Sequence, residues 1–145
     1  MIRATVITAL AAPALLAACG LEPAGQGKMV LQRIEVKQTS KTTLAVGVIA
    51  LNVDGFELAR CVAAAYVNTL KDKKGKRLWK VFKRTGGKIK DEFRLKDGVR
   101  IQRTLGTQTY EFVEKGEHNG RDVMDVDLQL AVCERQGLPT KLGKG

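Results

Sequence analysis

Residues 43–75, TLAVGVIALNVDGFELARCVAAAYVNTLKDKKG, change their apolar period partway along, and that change decides the fold. Residues 43–51 are a short apolar, β-branched run bounded by Asn52 and Asp54, which reads as a buried strand. From Asp54 onward the spacing becomes helical. Asp54 supplies an N-cap with Glu57 three residues later, and Val53 and Leu58 take the two positions of a hydrophobic staple. Phe56, Ala59, Val62, Ala63, Tyr66, Val67 and Leu70 fall on one stripe when successive residues are turned by about 100°. Lys71, Lys73 and Lys74 before Gly75 suit a helix C-terminus, so the spacing predicts a helix over about 54–74. Cys61 lies nearly opposite the stripe beside Ala64 and Ala65, a side of small residues over which another segment can pass closely. The segment after Cys133 is the candidate.

Upstream, Val30, Gln32, Ile34 and Val36 alternate against Leu31, Arg33, Glu35 and Lys37, which predicts another strand. Downstream of Arg77, turn signals at Gly86 and Gly87, Asp97 and Gly98, Gly106 and Thr107, and residues 116–120 divide the chain into further strands. A three-residue loop of Lys96, Asp97 and Gly98 pairs Leu95 with Val99, Phe93 with Ile101, Asp91 with Arg103 and Ile89 with Leu105. A two-residue loop of Gly106 and Thr107 pairs Ile101 with Phe112 and Arg103 with Tyr110. Met124, Val126, Leu128, Leu130 and Val132 alternate with Asp125, Asp127 and Gln129, a last strand facing the helix. Around Gly86 and Gly87 one register puts Trp79 and Val81 inside, the other Leu78 and Phe82; the first is preferred. The expected architecture is α+β, an antiparallel β-meander of about five to seven strands packed against one main helix.

The 145 residues, 44% hydrophobic and 28% charged, have the composition of one globular domain and exclude collagenous, coiled-coil and wholly disordered chains. His118 is the single histidine and Ser40 the single serine, which argues against triad and most metal chemistry. The 25 Lys and Arg against 15 Asp and Glu give a formal charge of +10, pointing toward anionic neighbours. Ten of those cations and one Asp crowd residues 71–90. In the preferred register Lys80, Arg84, Lys90, Arg94 and Arg100 share the outward sheet face, a candidate anion-binding surface set against the alternative of an ordinary solvated face.

Residues 1–18 carry Arg3, then an apolar run interrupted only by Thr5, Thr8 and Pro13, and end on small residues, the pattern of a secretory signal peptide. That run falls short of the roughly 20 apolar residues that span a bilayer. Leu16, Ala17, Ala18 and Cys19 resemble the lipobox of bacterial lipoproteins. The resemblance covers residues 1–19 and implies cleavage before Cys19, lipidation of that cysteine and, with Gly20 rather than Asp after it, an outer-membrane destination facing the periplasm. Residues 19–28 then read as a lipidated flexible tether, and residues 29–145 as one domain. With Cys19 assigned to lipid, Cys61 and Cys133 remain as a pair in an oxidising compartment, where a disulfide is expected.

Asp122, Asp125, Asp127 and Glu111 invite reading as a carboxylate cluster, but without calcium-loop spacing they read better as the polar side of an edge strand, and His118 as a turn residue. Residues 53–55 before the helix hold a single glycine and no phosphate-cradling motif. No cofactor is expected, and nucleic acid is an unsuitable partner for an exported chain with 5% aromatic residues. The expectation is a lipid-anchored protein that binds or scaffolds without catalysis, its basic face meeting lipopolysaccharide phosphate, peptidoglycan carboxylate or an acidic protein. The alternative is a small envelope enzyme or enzyme accessory with a cleft between helix and sheet.

Overall fold

The computed structural model describes residues 28–114 and 123–142. Its strands are β1 (Val30–Gln38), β2 (Thr43–Leu51), β3 (Val81–Lys96), β4 (Val99–Val113) and β5 (Val123–Asp125), and its helices α1 (Gly55–Val67) and α2 (Val126–Arg135). The architecture is thus α+β: a mostly antiparallel five-stranded sheet with two helices. The strand order β1-β2-β4-β3-β5 departs from a simple meander, because β2 pairs with β4, placing Thr43 opposite Glu111 and Leu51 opposite Arg103. The described residues divide into two compact units, one holding Met29–Glu92 and those described from Arg103 onward, the other holding Lys28 and Phe93–Gln102.

In the first unit, strict alternation along β2 buries Leu44, Val46, Val48 and Ala50 on one face. They join Leu58, Ala59, Val62 and Ala63 of α1, Phe82 of β3, Tyr110 and Phe112 of β4 and Val126 of α2 in one core. Removing a leucine side chain such as Leu44 from water contributes about 1.5–3 kcal/mol. Phe82 and Tyr110 meet edge to face at 5.5 Å. Of the two registers that the sequence offers around Gly86 and Gly87, neither fits alone: Val81 and Phe82 are both buried, Trp79 is partly buried against the core, and Leu78 is exposed.

α1 begins where the N-cap predicts, with Asp54 Oδ1 accepting from the amides of Phe56 at 2.9 Å and Glu57 at 3.2 Å. It ends at Val67, not near residue 74. After the C-cap Asn68 the amides of Thr69 and Leu70 turn to Tyr66 O and Val67 O three residues back, and the Thr69 hydroxyl donates to Tyr66 O at 2.6 Å; farther on, Asp72 Oδ1 accepts from the amides of Lys74 at 2.8 Å and Lys76 at 2.9 Å, holding the expected last turn out of the helix. Lys71 and Arg77 bridge across that turn, and Gly75 sits at φ 81°.

The expected last strand is strand only through Asp125. Asp125 then caps α2, accepting from Leu128 N at 3.1 Å. Val126, Leu130 and Cys133 fall at i, i+4 and i+7, so two of the residues that alternate, Val126 and Leu130, also fit a helical period that takes in Cys133. Gly137 at φ 72° closes the helix: its amide donates to Glu134 O and the amide of Leu138 to Cys133 O, a Schellman motif. Leu128, left 69% exposed, is the cost of the helical choice.

Gly86, Gly87, Gly106 and Thr107 end no strand. A Cβ on Gly106 would stand 2.1 Å from Lys88 O, and one on Gly87 2.3 Å from Thr107 O, so these glycines let the two backbones approach where side chains would collide. Phe82 and Ile89 both pack toward the core although strict alternation would oppose them, so β3 gains one residue between them and changes phase. Gly87, at φ 116°, lies in that interval.

The second unit carries the turn between β3 and β4. Asp97 and Gly98 both have positive φ, 52° and 79°, the signature of a two-residue type I′ turn. It sets Lys96 opposite Val99, one residue out of the three-residue register expected. Leu95 therefore faces Arg100, and Arg94 faces Ile101.

Candidate functional site

Cys61 on α1 and Cys133 on α2 form a disulfide with Cα atoms 5.8 Å apart, and both residues are fully buried. The small-residue side of α1 is covered as the sequence implies, but by α2 itself, which carries Cys133. Gln129 sits over the bridge, its Nε2 3.4 Å from Cys133 Sγ and 3.3 Å from Glu57 Oε2, while Glu57 also pairs with Arg60 at 2.9 Å. Cys19, with the Leu16 to Ala18 motif before it, lies outside the described residues.

Lys80, Arg84, Lys90, Arg94 and Arg100 are all exposed, but they do not form one face. The Arg100 guanidinium lies over the Phe93 ring, 4.3 Å from its centroid, and so shares the side of Phe93. Arg94, the next residue in the strand, points to the other side. The single basic face is corrected on that ground: its register assumed a loop one residue longer than the turn and an unbroken phase along β3.

The carboxylates are dispersed. Asp125 caps α2, Asp127 Oδ1 accepts from Arg77 at 2.7 Å, and Glu111 pairs with Lys83 at 3.6 Å. Asp122 and His118 lie outside the described residues. Among the described residues, no three of His, Cys, Asp and Glu gather as a metal site.

One polar feature escaped the sequence reading. Thr104, Gln108 and Tyr110 occupy core-facing positions of β4, each at most 1% exposed. Thr104 Oγ1, both amide atoms of Gln108 and the Tyr110 hydroxyl have no hydrogen-bond partner within the described protein, a costly state for buried groups. Burial holds the Tyr110 phenol well above its usual range, and nearby Arg60 and Arg84 offset part of that. The signal was the even-numbered alternation of β4 through Tyr110 and Phe112, obscured by the turn expected at Gly106. On the opposite sheet face, Arg33 and Glu35 of β1, Gly47 and Ile49 of β2, and Leu105 and Thr107 of β4 line a shallow groove of about 210 Å³. That is below the roughly 300–1,000 Å³ of most ligand pockets.

Comparison with known proteins returns no matching family, no matching curated protein and no matching solved structure. The functional reading therefore rests on the chain's own residues.

Proposed function

We propose that this is a lipid-anchored lipoprotein of the bacterial cell envelope, attached through Cys19 to the outer membrane and facing the periplasm, with a non-catalytic binding or scaffolding role. The observation that carries the reading is the division of the three cysteines. Cys61 and Cys133 are committed to each other on facing helices, as suits an oxidising compartment, and the remaining one stands at the end of a lipobox-like leader. Several acyl chains, at about 0.8 kcal/mol per buried methylene, make such anchoring effectively permanent. The non-catalytic part of the proposal draws on Glu111, Asp125 and Asp127, each held in a separate structural bond. The partner in view is an anionic envelope component that meets the exposed cations.

Metabolic labelling with a fatty acid and membrane fractionation of wild type and Cys19→Ser test the reading. Label on the wild type only, with release or an uncleaved precursor in the variant, is the expected result. A variant processed normally and retained in the membrane contradicts it.

A further inference from the structure

We infer that the hairpin Phe93–Gln102 is a second membrane contact, a ribbon that enters the interface of an anionic lipid surface. The inference rests on the lipid-anchored reading only for placing a bilayer within the protein's reach.

The hairpin's chemistry is its own. Phe93, Leu95 and Val99 are 53%, 79% and 40% exposed, three of the seven large apolar side chains left open to solvent among the described residues. The type I′ turn puts Phe93 and Leu95 on one face together with Arg100, and Val99 and Ile101 on the other together with Arg94 and Lys96. Both faces thus mix apolar groups with cations. A protein groove covers one face of a two-stranded ribbon and leaves the other apolar pair in water. A lipid interface surrounds the ribbon and takes up both.

The cations fit the same environment. Arg and Lys bury their stems along apolar surface while their heads reach outward, so three cations beside the turn reach headgroup phosphates as the apolar side chains enter the acyl boundary. From Phe93 to Lys96 the strand advances about 10 Å, comparable to the roughly 5–10 Å depth of interfacial insertion. Asp97 at the turn sets the limit, because a carboxylate resists deeper entry and keeps the ribbon at headgroup level.

The test uses the full chain with Cys19→Ser, so that no acyl anchor holds it, and an environment-sensitive fluorophore on Leu95→Cys. A control carries the fluorophore on Lys41→Cys. Each is mixed with vesicles of phosphatidylcholine alone or with phosphatidylglycerol added. The expected result is a blue shift of the Leu95 label, quenched by shallow lipid-borne quenchers, in the anionic vesicles only, with the Lys41 label unchanged. Arg94→Gln, Lys96→Gln and Arg100→Gln together should weaken partitioning roughly a hundredfold, and salt near 1 M should do the same. A Leu95 label that stays in water overturns the proposal, as does insertion of equal strength into neutral vesicles. Lipidation of Cys19 in cells is read separately, so the anchor and the hairpin can fail independently.

Discussion

β2 and the hairpin Phe93–Gln102 are both rich in apolar side chains, and they use them in opposite ways. Along β2 every second residue is buried, and the apolar content goes into the core. In the hairpin Phe93, Leu95 and Val99 remain exposed on both faces among Arg94, Lys96 and Arg100. The contrast separates two kinds of apolar residue: those whose removal unfolds the protein, and those whose removal alters only what its surface meets.

The largest expected difference lies in glycine. Gly106→Ala places a Cβ against Lys88 O at φ 146° and should cost about 4 kcal/mol or more, or prevent folding. Gly98→Ala in the hairpin turn, at φ 79° with open space around it, should cost about 1 kcal/mol. Urea denaturation of the two variants checks this, and equal losses would erase the distinction. Next comes the covalent brace. Replacing Cys61 and Cys133 with Ala releases a loop with a sequence separation of 72, and should cost about 4 kcal/mol on the chain-entropy account. A smaller effect follows from Leu44→Ala, about 3 kcal/mol, against Leu95→Ala within about 0.5 kcal/mol. A substantial loss for Leu95→Ala would make the hairpin part of the core after all.

The smallest effect is a pH slope. Because burial raises the Tyr110 phenol, the native state keeps its proton while the unfolded phenol ionises above pH about 10. The unfolded state then binds fewer protons, so stability falls with rising pH, by about 1.4 kcal/mol per unit beyond that point. Urea midpoints at several alkaline pH values should fall more steeply for wild type than for Tyr110→Phe. Parallel profiles would place Tyr110 in water.

The same contrast explains what the sequence made legible. β1, β2 and the start of α1 could be read because alternation, a β-branched run and Asp54 all act over a few residues. The end of α1 could not, since the lysine-rich run that suits a helix terminus also contains Asp72, whose carboxylate diverts two amides into a turn. α2 reads as strand because Val126 and Leu130 suit either period, and the deciding signal, Gly137, lies beyond the pattern. Gly87 and Gly106 resemble turn residues, yet they serve close backbone approach inside long strands. Of the site, the cysteine pair was legible by counting. The facing of Arg94 and Arg100 was not, because one residue of turn length reverses it, and the buried row of Thr104, Gln108 and Tyr110 was hidden by the break expected at Gly106.

The central claim is the division of the cysteines between anchor and brace, and the mass of the intact protein purified from membranes, before and after reduction and alkylation, tests it directly. The account predicts a chain that starts at Cys19, carries the mass of diacylglycerol and an amide-linked acyl group, and gains two alkylated thiols only after reduction. A chain that keeps residues 1–18 or lacks lipid, or one whose Cys61 and Cys133 alkylate without reductant, would contradict it.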